Sequence, residues 1–286
     1  LEVHVVRKID GKKISASMKQ ELMEEVKILK DHGIVPGLAV VIVGGDPASQ
    51  TYVNSKEKNA KNLGFNSMKF ELDVAVPEEE LLSLIDTLNQ DDAVHGILVQ
   101  LPLPDHIDSK KVLSKISIDK DVDGFHPENI GKMMIGDHSL LPCTPHGIIK
   151  MLEYENVEIR GKHAVILGRS NIVGKPLAVL LLEKDATVTV CHSKTEHMSQ
   201  ITNCADILIA AVGIPNFVTA DMVKQDAIVI DVGINRIEGK LVGDVDFEDV
   251  KDKVSLITPV PGGVGPMTIT MLMYNTVESA KIKGGL

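Results

Sequence analysis

Two stretches of this chain carry side chains at spacings that can do chemistry. Tyr52 and Lys56 stand four apart in DPASQTYVNSKEKNAKNLG, residues 46–64, so a helix starting at Asp46 or Pro47 projects both from one face, with Asn59 and Leu63 continuing it. A tyrosine and a lysine so placed make either a solvated surface pair or part of an active site, while Lys58, Lys61 and Asn62 fall on the solvated side. The second stretch, PVPGGVGPMT at 259–268, is built largely of proline and glycine. Its backbone can approach a ligand without side-chain bulk, and Pro266 suits the first turn of a helix running from Met267 to about Lys283.

Two more side chains sit where ligands are usually held. Gln100 follows the apolar run GILV and precedes Pro102 and Pro104, a stiff turn at the carboxyl end of a strand, where α/β proteins bind ligands. Asp123 lies in KDVDGFHPEN, residues 120–129, a loop whose Gly124 and Pro127 leave little room for regular structure. An acid there either meets a ligand or caps a turn, and turn capping is the role expected of Asp121.

HAVILGRSNIVGKPLAVLLLEK, residues 163–184, reads as strand, glycine turn and helix, with Gly168 closing the strand and Gly174 opening the helix. Backbone amides and the positive helix end then stand where a pyrophosphate can sit. Ser170 and Val173 occupy the later glycine positions of the usual GxGxxG pattern, so by spacing alone this is either a dinucleotide turn or a plain strand-to-helix turn. An NAD site has an acid about 20 residues on, at the end of the next strand. Here that strand ends Cys191, His192, Ser193, Lys194, Thr195, with no acid, while Arg169, Ser193 and Lys194 offer donors and positive charge to a 2′-phosphate. The reading is NADP rather than NAD, with Lys194 either a contact or a solvated loop charge.

The elements that must position these groups alternate almost throughout. Short β-branched runs at 38–44, 68–72, 96–101, 163–168, 187–191, 206–213 and 227–233 are separated by segments of helical length, the pattern of parallel strands joined by crossovers. The fold class is α/β. A Gly- and Pro-rich loop near 130–145 breaks the alternation, and a helix from about Pro145 to Glu155 leads into a second series ending near Thr258. The expected division is 1–141 with 266–286 as one domain and 142–265 as the other, the terminal helix packing back on the first. A cleft between domains is then the natural ligand site.

Composition removes other classes of function. With 40 acidic against 30 basic residues, a formal charge of −10 opposes nucleic acid or anionic lipid as the main partner, though it leaves room for a local basic pocket. Aromatic residues are 3% with no Trp, which disfavours stacking on exposed bases. Cys143, Cys191 and Cys204 form no zinc pattern, so no metal is expected, and they read as small buried hydrophobes in a reducing compartment. The N-terminal stretch LEVHVVRKIDGKK lacks a signal-peptide run, and no segment reaches the roughly 18 apolar residues of a membrane span. The expectation is a soluble, cytoplasmic protein.

Six motifs now align in order. YVNSK at 52–56, VQLPLP at 99–104, KDVDGFHPEN at 120–129, PCTPHG at 142–147, GRSNIVGKP at 168–176 and PVPGGVGPMT at 259–268 closely resemble the methylenetetrahydrofolate dehydrogenase/cyclohydrolase family over essentially the whole chain. The resemblance implies an N-terminal α/β folate domain plus a Rossmann-type NADP-binding domain with a cleft between them, usually in a homodimer. It also implies two reactions of one-carbon metabolism: oxidation of 5,10-methylenetetrahydrofolate by NADP to the methenyl form, and hydrolysis of that form to 10-formyltetrahydrofolate. No formyltetrahydrofolate synthetase domain is expected within the 286 residues.

By the same resemblance, Lys56 matches the catalytic lysine, Gln100 the residue that orients it, and Asp123 the acid that binds the pterin. Tyr52 matches the tyrosine that packs on the folate, Val99 and Leu101 flank Gln100 on the substrate side, and Pro261, Gly262, Gly263, Val264 and Gly265 match the loop beside the folate. Gly168, Arg169, Ser170, Ser193 and Ile234 match the dinucleotide contacts. Hydride transfer asks mainly for positioning, whereas hydrolysis of the methenyl cation needs proton transfer. Beside that cation, like-charge repulsion and desolvation favour a neutral amine on Lys56 near pH 7; the alternative is a charged Lys56 that only orients other groups. Three competing readings are a dehydrogenase that has lost hydrolysis, a dehydrogenase for another small substrate such as a shikimate-type acid, and a non-catalytic nucleotide-binding protein. The intact Tyr52, Lys56 and Gln100 set argues against the first, the folate-side motifs against the second, and Lys56 with Asp123 against the third.

Overall fold

In the computed structural model, which describes residues 7–138 and 140–286, β-branched runs form strands and the polar-apolar segments between them form helices. In chain order these are β1 (Arg7–Lys8), α1 (Gly11–Asp31), β2 (Gly37–Val43), α2 (Pro47–Asn62), β3 (Asn66–Leu72), α3 (Glu78–Gln90), β4 (Gly96–Val99), α4 (Ser109–Lys115), α5 (Pro127–Met134) and α6 (Cys143–Tyr154). There follow β5 (His163–Leu167), α7 (Gly174–Glu183), β6 (Thr187–Cys191), α8 (Met198–Thr202), β7 (Ile207–Ala210), β8 (Ile228–Asp231), β9 (Asn235–Ile237), β10 (Lys240–Val242), α9 (Phe247–Val250), β11 (Leu256–Ile257) and α10 (Val264–Gly284). Residues 1–6, the start of the N-terminal stretch read above, and Ser139 lie outside the described residues.

The chain divides into two compact units. One takes the N-terminal residues through Ala16 with Thr144–Thr268, the other Ser17–Cys143 with Ile269–Leu286, so α1 and α10 each contribute to both.

In the Ser17–Cys143 unit, a three-stranded parallel sheet runs β3-β2-β4. Every residue of β2 is buried, which is why GLAVVIV is continuously apolar instead of alternating. Leu81, Ile85 and Leu88 of α3, at helical spacing, pack with Ala39, Val41, Ile97 and Val99. Asp121 bridges Ile97 in parallel and brings the loop that follows alongside β4. The C-terminal part of α10 pins this loop: Ser279 Oγ donates to the Asp119 carbonyl at 2.6 Å, and Asn275 Nδ2 donates to those of Val122 and Leu141, both at 2.8 Å.

In the other unit, six parallel strands run β1-β11-β8-β7-β5-β6. The order turns at β5, with β6 on one side and β7 on the other, so a crevice opens at the carboxyl ends of β5 and β7. An antiparallel hairpin, β9 with β10, interrupts the alternation after β8. The seven strands read from the sequence are all present, while β1, β9, β10 and β11 were not foreseen: two or three residues are too short to show a period. Two local expectations are corrected. Cys204 is exposed, not buried like Cys143 and Cys191. The terminal helix starts at Val264, so Val264 and Gly265 belong to its first turn along with Pro266.

Candidate active site and cofactor cavity

The Asp46 carboxylate starts α2 by accepting from the Ser49 amide at 2.8 Å, and Pro47 at the first helical position has no amide to leave unpaired. One turn separates Tyr52, 38% exposed, from Lys56, which is partly buried. Lys56 Nζ donates to Gln100 Oε1 at 2.9 Å. The glutamine is itself fixed, because its backbone amide donates to the Val41 carbonyl at 2.8 Å and its Nε2 to the Leu101 carbonyl at 2.7 Å. With Nε2 committed, Oε1 is the atom that faces the lysine. Val99 is buried in β4 and Leu101 is partly exposed beyond it.

Asp121 and Asp123 divide the work of their loop. Asp121 is buried and accepts from the amides of Phe125 at 3.2 Å and His126 at 2.8 Å and from Asn129 Nδ2 at 2.9 Å, so it caps the turn into α5. Asp123 has no part in these bonds and is partly buried. Burial pushes its carboxyl above the usual range, the Lys56 charge opposes that rise, Asp121 adds to it, and the neighbouring Cys143 thiol, which donates to the Val122 carbonyl at 3.2 Å, opposes it further. Burial and the Asp123 charge in turn push the Cys143 thiol well above its ordinary value and keep it protonated. Thus Lys56, Gln100 and Asp123 converge: an amine held by an amide, within electrostatic reach of a carboxylate. Such a group can relay a proton and can accept paired N–H donors.

The loop residues read as substrate contacts lie in the other unit. Pro261 is exposed, Gly262, Gly263 and Val264 are buried, and a Cβ built on the partly buried Gly265 meets Ile234 Cδ1 at 3.8 Å. Ile234 is 48% exposed.

At the carboxyl ends of β5, β6 and β7 a cavity of about 340 Å³ is lined by Gly168, Arg169, Ser170, Ser193, Val212 and Ile214 among others. Gly168 has φ 111°, and a Cβ there would lie 2.1 Å from the Ala211 carbonyl, so only glycine lets β5 turn this close to β7. Ser170 Oγ accepts from the amides of Val173 at 3.1 Å and Gly174 at 3.4 Å, which shapes the start of α7 and leaves its own proton free to donate. The lining holds no Asp or Glu, and its one full charge is Arg169, which makes no ion pair among the described residues. Glycine turn, helix start and unpaired guanidinium fit a dinucleotide carrying an extra phosphate. Lys194 is exposed and does not line the cavity.

Three side chains that organise these sites escaped the sequence reading. Asn275 and Ser279 sit buried in α10, where the only signal was a polar stripe, with Thr270 and Thr276, in an apolar helix. Asp244, fully buried, looked like an ordinary loop acid in VGDVDFED.

Comparison with known proteins bears on both units. Residues 9–123 match the family model described as tetrahydrofolate dehydrogenase/cyclohydrolase, catalytic domain, and residues 142–284 match its NAD(P)-binding domain. The bifunctional protein FolD of Bacillus subtilis is 58% identical over 274 residues, 96% of this chain and 97% of the relative. The crystal structure of bifunctional FolD methylenetetrahydrofolate dehydrogenase/cyclohydrolase from Campylobacter jejuni aligns with a TM-score of 0.96 at 55% identity, covering 97% of this chain and 99% of that one. The Trypanosoma brucei enzyme, solved with NADP cofactor and inhibitor, gives a TM-score of 0.91 at 42% identity, with 96% of each chain covered.

Proposed function

The chain belongs to the tetrahydrofolate dehydrogenase/cyclohydrolase family, and from that premise we propose that Lys56, Gln100 and Asp123 are the groups through which it acts on folate. It is a bifunctional enzyme: it oxidises 5,10-methylenetetrahydrofolate with NADP to 5,10-methenyltetrahydrofolate and hydrolyses the product to 10-formyltetrahydrofolate. The observation that carries the site reading is the 2.9 Å bond from Lys56 to an amide that is held from its other side.

Bound NADP supplies the hydride acceptor. Gly168, Arg169, Ser170, Ser193 and Ile234 would hold it, with Arg169 supplying the positive charge that its 2′-phosphate would need. On the folate side, Asp123 accepts the paired pterin donors, Tyr52 packs on the ring, and Val99 and Leu101 border the substrate. In the hydrolytic step, water adds to the methenyl carbon and its proton passes to Lys56 Nζ. The hydroxyl of that adduct then loses its proton to solvent as the carbonyl forms and the bond from carbon to N5 breaks, and the Lys56 ammonium returns a proton to N5. Gln100 keeps the amine aimed through both transfers.

Among the described residues no helix is long and apolar enough to cross a membrane. We place the enzyme in the cytoplasm as a homodimer with no nucleic-acid or membrane partner, a reading that sedimentation at working concentration checks. The test of function is an assay on 5,10-methylenetetrahydrofolate, run with NADP and then NAD, that follows reduced cofactor and methenyl absorbance separately. NADPH formation with little methenyl build-up supports both activities; methenyl accumulation leaves a dehydrogenase alone, and neither signal removes the folate reading.

A further inference from the structure

We propose that Asp244 is a positioning residue for the NADP cavity, a buried carboxylate that ties the backbone leaving β7 to the backbone leaving β8. The proposal rests on the cofactor reading above. Asp244 is 0% exposed, yet it pairs with no cation among the described residues. Its Oδ2 accepts from the amides of Val212 at 2.7 Å and Gly213 at 2.9 Å, and its Oδ1 accepts from Asn235 Nδ2 at 2.9 Å. Val212 and Ile214 line the cavity, so the residue that holds them sets part of its wall. Asn235 follows Ile234, one of the proposed cofactor contacts.

A second carboxylate holds the first. Asp231 Oδ1 accepts from the amides of Asp244 and Gly233, both at 2.9 Å, and its Oδ2 from that of Val245 at 3.0 Å. The Asp231 amide is committed to Thr258 Oγ1 at 2.7 Å. The backbone wraps closely around the pair: a Cβ on Gly243 would fall 1.7 Å from Asp231 Oδ2. The strand-like stretch beyond is laced in as well, since the Val218 amide donates to the Asp244 carbonyl at 2.9 Å. The hairpin of β9 and β10 is the excursion that returns the chain to place Asp244 between the two loops.

Removing this carboxylate leaves the Val212 and Gly213 amides without their acceptor, whereas Asp244→Asn keeps an oxygen for them if Asn235 turns its own amide. The enzyme's two activities separate a local effect from general damage, because hydrolysis of methenyltetrahydrofolate uses no NADP. The experiment titrates NADP by calorimetry into wild type, Asp244→Ala and Asp244→Asn, measures cofactor-free cyclohydrolase activity, and follows amide exchange over 206–218 in the cofactor-free protein. We expect the NADP Kd to rise roughly tenfold or more in Asp244→Ala and about threefold in Asp244→Asn, with faster exchange at Val212 and Gly213 and cyclohydrolase activity within about twofold of wild type. If Asp244→Ala does not fold, Asp244→Asn carries the same test. An unchanged Kd, or loss of both activities in equal proportion, overturns the proposal. Wild type that hydrolyses methenyltetrahydrofolate but does not bind NADP would sink the cofactor reading and the proposal with it.

Discussion

Lys56 Nζ stands 2.9 Å from Gln100 Oε1, and the same glutamine's Nε2 is held 2.7 Å from the Leu101 carbonyl. The amide therefore cannot turn without breaking a bond, and the lysine has one fixed acceptor. Because general acid–base transfer contributes about 10²- to 10⁴-fold to a rate, Gln100→Ala should lower cyclohydrolase turnover by about 10²-fold. Dehydrogenation, which asks chiefly for positioning, should fall much less. Parallel assays of the two steps check this; equal losses would assign Gln100 to folate binding alone.

Asp123 gives a pH signature. Its carboxyl is raised by burial and held down mainly by the Lys56 charge, and only the ionised form accepts the pterin's donors. Folate affinity is then lost on acidification above the ordinary carboxylate range. In Lys56→Met that loss should move to higher pH, since the opposing charge is gone. Calorimetric titration of folate across pH reads it in both proteins; coincident profiles would show that the lysine and the acid do not interact.

Gly168→Ala places a methyl 2.1 Å from the Ala211 carbonyl at a φ of 111°. Strain of this kind costs roughly 1–3 kcal/mol, and relieving it means moving β5 from β7 at the cavity. The expected result is a lower urea midpoint together with weaker NADP binding. A variant with wild-type values for both would mean that the close approach is not needed.

Asp231 makes stability depend on pH. Burial and the nearby Asp244 charge, partly offset by three backbone amides, raise its pKa from 3.8 to about 6. Between those values the native state binds more proton than the unfolded chain, so this group's contribution to stability falls as pH rises from 3.8 to 6. The loss is about 3 kcal/mol at most. Urea unfolding of wild type and Asp231→Asn at pH 4 and pH 7 should show the difference shifting toward the variant at neutral pH by up to about that amount. A difference that ignores pH would place the Asp231 titration elsewhere.

Seven strands were legible as short apolar runs, most plainly β2, where burial on two faces demands a continuous one, and α2 was legible from Asp46 and Pro47. Sheet order was not. Lys56 and Gln100 are 44 positions apart and nothing in the sequence between them states that they meet; they do so because β2 and β4 pair, bringing the helix after one beside the turn after the other. Asp244 was less legible still: a buried carboxylate satisfied by backbone amides has the same local sequence as a solvated one, and only the fold tells them apart. β1 and β11 draw their stability from neighbours in the sheet and not from any pattern of their own.

The most direct test of the account is the cyclohydrolase rate of Lys56→Met on isolated methenyltetrahydrofolate, with NADP binding measured on the same preparation. The account predicts that hydrolysis falls to the uncatalysed rate while NADP affinity is unchanged. Full hydrolytic activity in that variant would contradict it.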